Sequence, residues 1–281
     1  MLTEYYIFIK QRPCGYRLFI GETGQSHHCT LVFLHGFMGS HLDWQEVIKY
    51  LPEGYRALTI DLPGHGKTEV RPPSHARCFT LPQIAGALAQ WMAMISSTRV
   101  AVVGYSMGGR LALYMALHYP DLFRAIILES ASPGLPSASE RHKRRIQDEH
   151  RARQLELEPF PQFLKKWYDQ PLFQTLKQHP SFDALFRQRL NNCPKLLARV
   201  LREMGTGVQP SLWEHLPSLK KPLLLLTGEK DPKFRAISEE MAKMAPKCSI
   251  KVITGCGHNI HRENPEAFVK AILDFLHQPL E

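Results

Sequence analysis

Gly104-Tyr105-Ser106-Met107-Gly108-Gly109-Arg110 constrains the fold of this chain more than any other stretch. The β-branched apolar run 100–103 precedes it and the helix-forming run 111–117 follows, so the segment reads as strand, sharp turn and helix. Small residues let the strand and helix approach, which sets the serine on a strained turn with its hydroxyl above the sheet edge. The following helix then aims free N–H groups, and the positive end of its dipole, at whatever Ser106 touches. A glycine-rich connection in any α/β protein would fit the same five residues, so the partners of Ser106 must lie elsewhere in the chain.

The remaining pattern supplies a frame for it. Residues 5–10 and 16–21 alternate aromatic and aliphatic side chains around Arg12-Pro13-Cys14-Gly15 and read as an opening hairpin. Thr30-Leu31-Val32-Phe33-Leu34 is continuously apolar, as in a strand buried on both faces, and runs into the loop His35-Gly36-Phe37-Met38-Gly39-Ser40. A helix is expected over 44–51, a strand over 55–60, a loop over 61–68, an amphipathic helix over 81–95, and a strand over 125–128. Strands alternating with helices imply a mainly parallel sheet covered on both faces, with ligands at the carboxyl ends of its strands. From about Pro133 to Leu216 that rhythm stops in a polar, helical, proline-divided stretch, expected to be a helical lid (133–216) inserted in a core made of 1–132 and 217–281. Ser137 and Glu140 form a capping box at its start. Strands resume at 222–228 and 249–253, and Asn264 with Pro265 opens a closing helix to about Leu276.

Length and charge bound the function. With 281 residues the chain can bury a sizeable core as one domain plus a lid. No basic-then-apolar leader opens it and no apolar run is long enough to span a bilayer. Six scattered cysteines lack metal-ligand or Cys-x-x-Cys spacing and are expected to be reduced thiols of a cytoplasmic protein that needs no metal and no cofactor. A formal charge of +9 calls for acidic partners. The first lid helix carries Arg141, Lys143, Arg144, Arg145, Arg151 and Arg153, but without aromatic interleaving, a broad apolar stripe or a nucleic-acid module it indicates neither nucleic acid nor membrane. The oligomeric state is not legible.

Ser106, Asp231 and His258 occur in the order nucleophile, acid, histidine, each just after an expected strand. This is the chain order of the α/β-hydrolase triad, in which the imidazole takes the serine proton and the carboxylate holds the imidazole's tautomer. Asp231 could instead be a turn former before Pro232, His258 a loop residue, and Glu229 is a rival acid nearer the strand end. An oxyanion hole needs two N–H donors, expected from Met107 and Phe37, with His35 shaping the loop.

Five segments together resemble the 2-succinyl-6-hydroxy-2,4-cyclohexadiene-1-carboxylate synthases of menaquinone and phylloquinone biosynthesis. They are 104–110, 129–135, Trp167-Tyr168-Asp169-Gln170-Pro171-Leu172-Phe173, 228–236 with Lys233-Phe234-Arg235, and Gly257-His258-Asn259 through Pro265. The resemblance runs from the His35 loop to the final helix, and Arg110, the Trp167 segment and the Lys233 segment are its most specific parts. It implies a lyase on the α/β-hydrolase fold that eliminates pyruvate from 2-succinyl-5-enolpyruvyl-6-hydroxy-3-cyclohexene-1-carboxylate, with Ser106 as base. It further implies that Arg110, Arg144 and Arg189 hold the three substrate carboxylates through bidentate guanidinium forks, with Tyr105 and Trp167 as wall and hydrogen-bonding groups. Arg141 or Arg145 could replace Arg144. Two alternatives stay open: a serine esterase, thioesterase or C–C hydrolase with the same triad, and a non-catalytic binding protein on this fold.

Overall fold

The computed structural model describes residues 2–24, 29–71, 76–95 and 100–279. In chain order its elements are β1 (Thr3–Gln11), β2 (Cys14–Thr23), β3 (Cys29–Leu34), α1 (Gln45–Lys49), β4 (Tyr55–Asp61), β5 (Glu69–Arg71), α2 (Leu81–Ile95), β6 (Val100–Tyr105), α3 (Met107–His118) and β7 (Phe123–Glu129). Five helices follow: α4 (Ala138–Leu157), α5 (Phe160–Tyr168), α6 (Gln174–Gln178), α7 (Phe182–Arg189) and α8 (Pro194–Met204). The chain then returns through β8 (Leu223–Gly228), α9 (Pro232–Met244), β9 (Cys248–Ile253), α10 (Ile260–Glu263) and α11 (Pro265–Leu276).

The strands form one sheet in the order β1-β2-β4-β3-β6-β7-β8-β9, with β5 paired to β2. From β4 through β9 every neighbouring pair is parallel, while β1–β2, β2–β4 and β2–β5 are antiparallel. The period-two alternation of a pleated strand sorts side chains between two cores. Val32 and Leu34 of β3, with Val100 and Val102 of β6, join the core that packs α2 and α3. Leu31, Phe33, Ala101 and Val103 join the opposite one with α11. This is why β3 and β6 read as unbroken apolar runs.

The expected helix over 44–51 is shorter, a 3₁₀ turn over 41–44 followed by α1, in keeping with the bias that Pro52 sets against a helical residue before it. β5 had no visible pattern, and three residues zipped to Gly15–Arg17 of β2 need none. The capping box at Ser137 and the cap at Asn264 form as their sequences indicate. Helices α4 to α8 build a third apolar cluster from Leu155, Phe163, Leu164, Leu185 and Leu197, into which Met38 of the His35 loop is inserted.

The cysteines require a correction. Cys14 and Cys78 are joined by a disulfide, their Cα atoms 5.8 Å apart, while Cys29, Cys193, Cys248 and Cys256 are free thiols. The bond ties the start of β2 to the loop before α2, and Tyr16 donates to the Cys78 carbonyl beside it at 2.6 Å. No helix among the described residues is long and apolar enough to cross a membrane.

Candidate active site

Ser106 sits between β6 and α3 with φ 48° and ψ −104°, a conformation that costs a non-glycine residue about 1–3 kcal/mol. Close packing holds it there. A Cβ at Gly108 would lie 2.1 Å from the Leu34 carbonyl oxygen, and one at Gly104 would lie 2.6 Å from that of Gly108. The Ser106 N–H donates to the Glu129 carbonyl at 2.9 Å, fixing the turn to the end of β7. Met107 is the first residue of α3, so its N–H has no intrahelical acceptor and faces the serine's surroundings.

Asp231 and His258 converge on the serine from two further strand ends. The Leu225-containing strand β8 delivers Asp231, whose Oδ1 caps α9 by accepting from the Phe234 N–H at 3.2 Å and whose Oδ2 lies 2.7 Å from His258 Nδ1. His258 Nε2 lies 3.4 Å from Ser106 Oγ, a long contact of the kind that tightens when substrate is bound. With Asp231 accepting at Nδ1–H, Nε2 carries the lone pair that faces the hydroxyl. Glu229 is elsewhere, its Oε2 accepting from the Gly255 N–H at 2.9 Å. Glu263, inside the Gly257–Pro265 segment, holds the histidine loop: it accepts from the Gly257 N–H at 2.8 Å, the Asn259 N–H at 3.3 Å and the Thr175 hydroxyl at 3.0 Å. Glu129 and His261 form a fully buried pair with Nδ1–Oε2 at 2.8 Å, and the Tyr105 ring lies between His261 and His258 at centroid distances of 4.7 and 5.4 Å.

The loop after β3 is shaped from within. The Leu62 N–H donates to His35 Nε2 at 2.9 Å, so the ring proton is on Nδ1 and donates to the Gly36 carbonyl at 2.7 Å. Burial pushes the His35 pKa down and keeps the ring neutral in this role. Phe37 N–H finds no protein acceptor among the described residues, and Phe37 lines the cavity in front of Ser106. Met38, at φ 64°, is held by Asn192, whose amide donates to its carbonyl at 2.9 Å.

That cavity encloses about 490 Å³, a volume suited to a small ligand. Ser106, Met107 and His258 form its floor, and Arg110, Arg144 and Trp167 stand on its walls. Arg110 donates to the Met204 carbonyl at 3.0 Å and the Gln209 side chain at 2.5 Å. Burial, then the charge of Arg144, bring its pKa down to about 10, against a smaller opposing pull from Asp148. Arg144 donates to Asp148 at 2.8 Å. Its neighbour Arg141 is committed to the carbonyls of Leu135 and Pro136, and Arg145 does not line the cavity, so Arg144 is the residue of that run on the wall.

Two expected substrate contacts are not where the resemblance put them. Tyr105 is not among the cavity-lining side chains but lies behind the histidine. Arg189 is buried in a bidentate pair with Asp43, Nη1–Oδ1 2.7 Å and Nη2–Oδ2 2.8 Å, and its Nε donates to the Tyr168 hydroxyl at 3.3 Å. A carboxylate 146 residues earlier in the chain fills its fork, and Arg189 is not among the residues that line the cavity.

Residues 31–271 match the alpha/beta hydrolase family. The 2-succinyl-6-hydroxy-2,4-cyclohexadiene-1-carboxylate synthase of Serratia proteamaculans is 32% identical over 259 residues, 92% of this chain and 97% of its own. The protein of the same name from Salmonella paratyphi B is 34% identical over 260 residues, 90% of this chain and 96% of its own. A solved structure of MenH from S. aureus superposes with a TM-score of 0.85 at 34% identity, over 93% of this chain and 97% of the other. The chain belongs to this synthase family. The fold is also that of a thermophilic esterase from Thermogutta terrifontis, at TM-score 0.81 and 26% identity over 98% of both chains. Fold alone therefore does not select the reaction, and the cationic wall of the cavity has to be read for it.

Proposed function

We propose that Ser106, relayed through His258 to Asp231, is the base of a pyruvate-eliminating lyase that converts 2-succinyl-5-enolpyruvyl-6-hydroxy-3-cyclohexene-1-carboxylate into 2-succinyl-6-hydroxy-2,4-cyclohexadiene-1-carboxylate for quinone biosynthesis. The ring carbon that bears the succinyl group lies between a ketone and an alkene, so its proton is the most acidic. Ser106 takes that proton as His258 takes the serine's own. The electrons move first onto the ketone oxygen, where the N–H groups of Met107 and Phe37 stabilise the developing charge. They then return to form the conjugated diene as the ring C–O bond breaks and the enolpyruvyl group leaves as the enolate of pyruvate.

The observation that carries this reading is Arg110, a partly buried cation on the cavity wall one helical turn from Ser106. A pocket for neutral acyl groups has no use for such a charge, whereas a tricarboxylate needs several. The same reading assigns the chain a cytoplasmic setting and a small-molecule partner, with neither nucleic acid nor membrane, and treats residues 133–216 as a lid over the core. The test is pyruvate release from the enolpyruvyl cyclohexene beside p-nitrophenyl ester hydrolysis, for wild type, Ser106→Ala and Arg110→Ala. Rapid release that collapses in both variants is expected; release at the spontaneous rate with efficient ester cleavage would overturn the reading in favour of a hydrolase.

A further inference from the structure

The substrate of the proposed reaction carries three carboxylates, and the cavity wall offers Arg110 and Arg144 for two of them. Arg189, the third residue implied by the family resemblance, has both forked N–H pairs on Asp43 and does not reach the cavity. The two further cations lining the cavity are Lys233, in the first turn of α9, and Arg151 on α4. On α4, Glu140, Arg144, Gln147 and Arg151 recur at helical spacing and all face the cavity. Arg151 is the more loosely held of the two arginines: its Nη1 pairs with Asp148 Oδ1 at 3.6 Å, while Arg144 holds that same oxygen at 2.8 Å. Arg144 and Arg151 thus share the single carboxylate of Asp148, and with Arg110 on the same cavity wall the three cations outnumber it, an arrangement suited to receive an anion.

Position decides which carboxylate. The Arg151 guanidinium lies over the Trp167 ring, 5.6 Å from its centroid, and that ring is 5.3 Å from Phe37, the expected oxyanion donor. Arg110 is tied to Met204 and Gln209, at the end of α8 and beyond it. A succinyl arm whose ketone oxygen sits at Phe37 and Met107 extends two methylenes, roughly 4–5 Å, to its terminal carboxylate. We infer that Arg151, in the place the resemblance gave to Arg189, binds the terminal carboxylate of the succinyl arm, an inference that rests on the synthase reading above.

The experiment compares the native substrate with an analogue in which only that carboxylate is a carboxamide, for wild type, Arg151→Gln, Arg151→Lys, Arg189→Gln and Lys233→Ala. Losing a charge-assisted, forked contact is expected to lower wild-type kcat/KM on the analogue by about 10- to 100-fold. Arg151→Gln should lose a similar factor on the native substrate and no longer distinguish the two. Arg151→Lys should recover part of the preference, because a point charge keeps attraction without the fork. Undiminished discrimination by Arg151→Gln would overturn the assignment, as would its disappearance in Arg189→Gln or Lys233→Ala instead. Wild-type enzyme that releases no pyruvate from the native substrate would instead remove the synthase reading, a failure distinct from that of Arg151.

Discussion

Replacing Arg189 by Gln separates a structural role from a substrate-binding one. The guanidinium and the Asp43 carboxylate meet at 2.7 Å with side chains only 4% and 1% exposed, so removing one partner strands a buried charge. That class of change costs about 3–5 kcal/mol. Burial alone would raise the Asp43 pKa, but Arg189, helped by smaller pulls from Arg262 and His261, brings it down to about 2. Against about 3.9 in an exposed chain, this is worth about 2–3 kcal/mol of stability at neutral pH. The sign follows from the depressed value: the unfolded chain binds the proton more readily, so this contribution is present above about pH 4 and is lost as pH falls towards about 2. In Arg189→Gln the desolvation of Asp43 is unopposed by its main counter-ion, its carboxyl favours the proton, and acidification should relieve the variant. Urea titrations at pH 7 and pH 4.5 should therefore show a wild-type advantage that shrinks at the lower pH, with pyruvate release affected through the folded fraction and the His35 loop. Adding Asp43→Asn to Arg189→Gln should cost less than the two changes summed, since two amides leave no buried charge. A stable Arg189→Gln enzyme, within about 1 kcal/mol of wild type and defective only in KM, would refute this account and return Arg189 to the substrate.

Three further outcomes follow from the site. Ser106→Gly and Ser106→Ala should both be inactive, yet the glycine variant should be the more stable by about 1 kcal/mol in denaturant, because only glycine occupies φ 48°, ψ −104° without strain; equal stabilities would show that the elbow stores none. Glu263→Gln weakens the clamp on Gly257 and Asn259, so kcat for pyruvate release should fall about 10- to 100-fold with KM little changed, through misplacement of His258; an unaltered kcat would free the loop from this dependence. Reduction of Cys14–Cys78, or Cys78→Ser, opens a link spanning 64 residues and should cost up to about 4 kcal/mol on the chain-entropy account; a melting temperature indifferent to reductant would restore the all-thiol reading.

Much of this molecule is readable along the chain because its determinants are local. The bounds of α2, the apolar strands β3 and β6, the cap at Asn264 and the box at Ser137 each depend on residues within a few positions of one another. The elbow is local too, since glycines at 104 and 108 are what permit its close packing. The order Ser106, Asp231, His258 is legible because each residue follows a strand, and parallel strands put their carboxyl ends on one side. Tertiary structure decided everything that turns on charges and thiols meeting across long separations. Asp43 captures Arg189, Glu129 captures His261, and Cys14 captures Cys78, and no periodicity marks these pairs because packing, not spacing, selects them. The same holds for the arginines of α4. Composition showed a basic helix, but which guanidiniums line the cavity, and so stand where an anion can reach them, depended on where that helix came to rest.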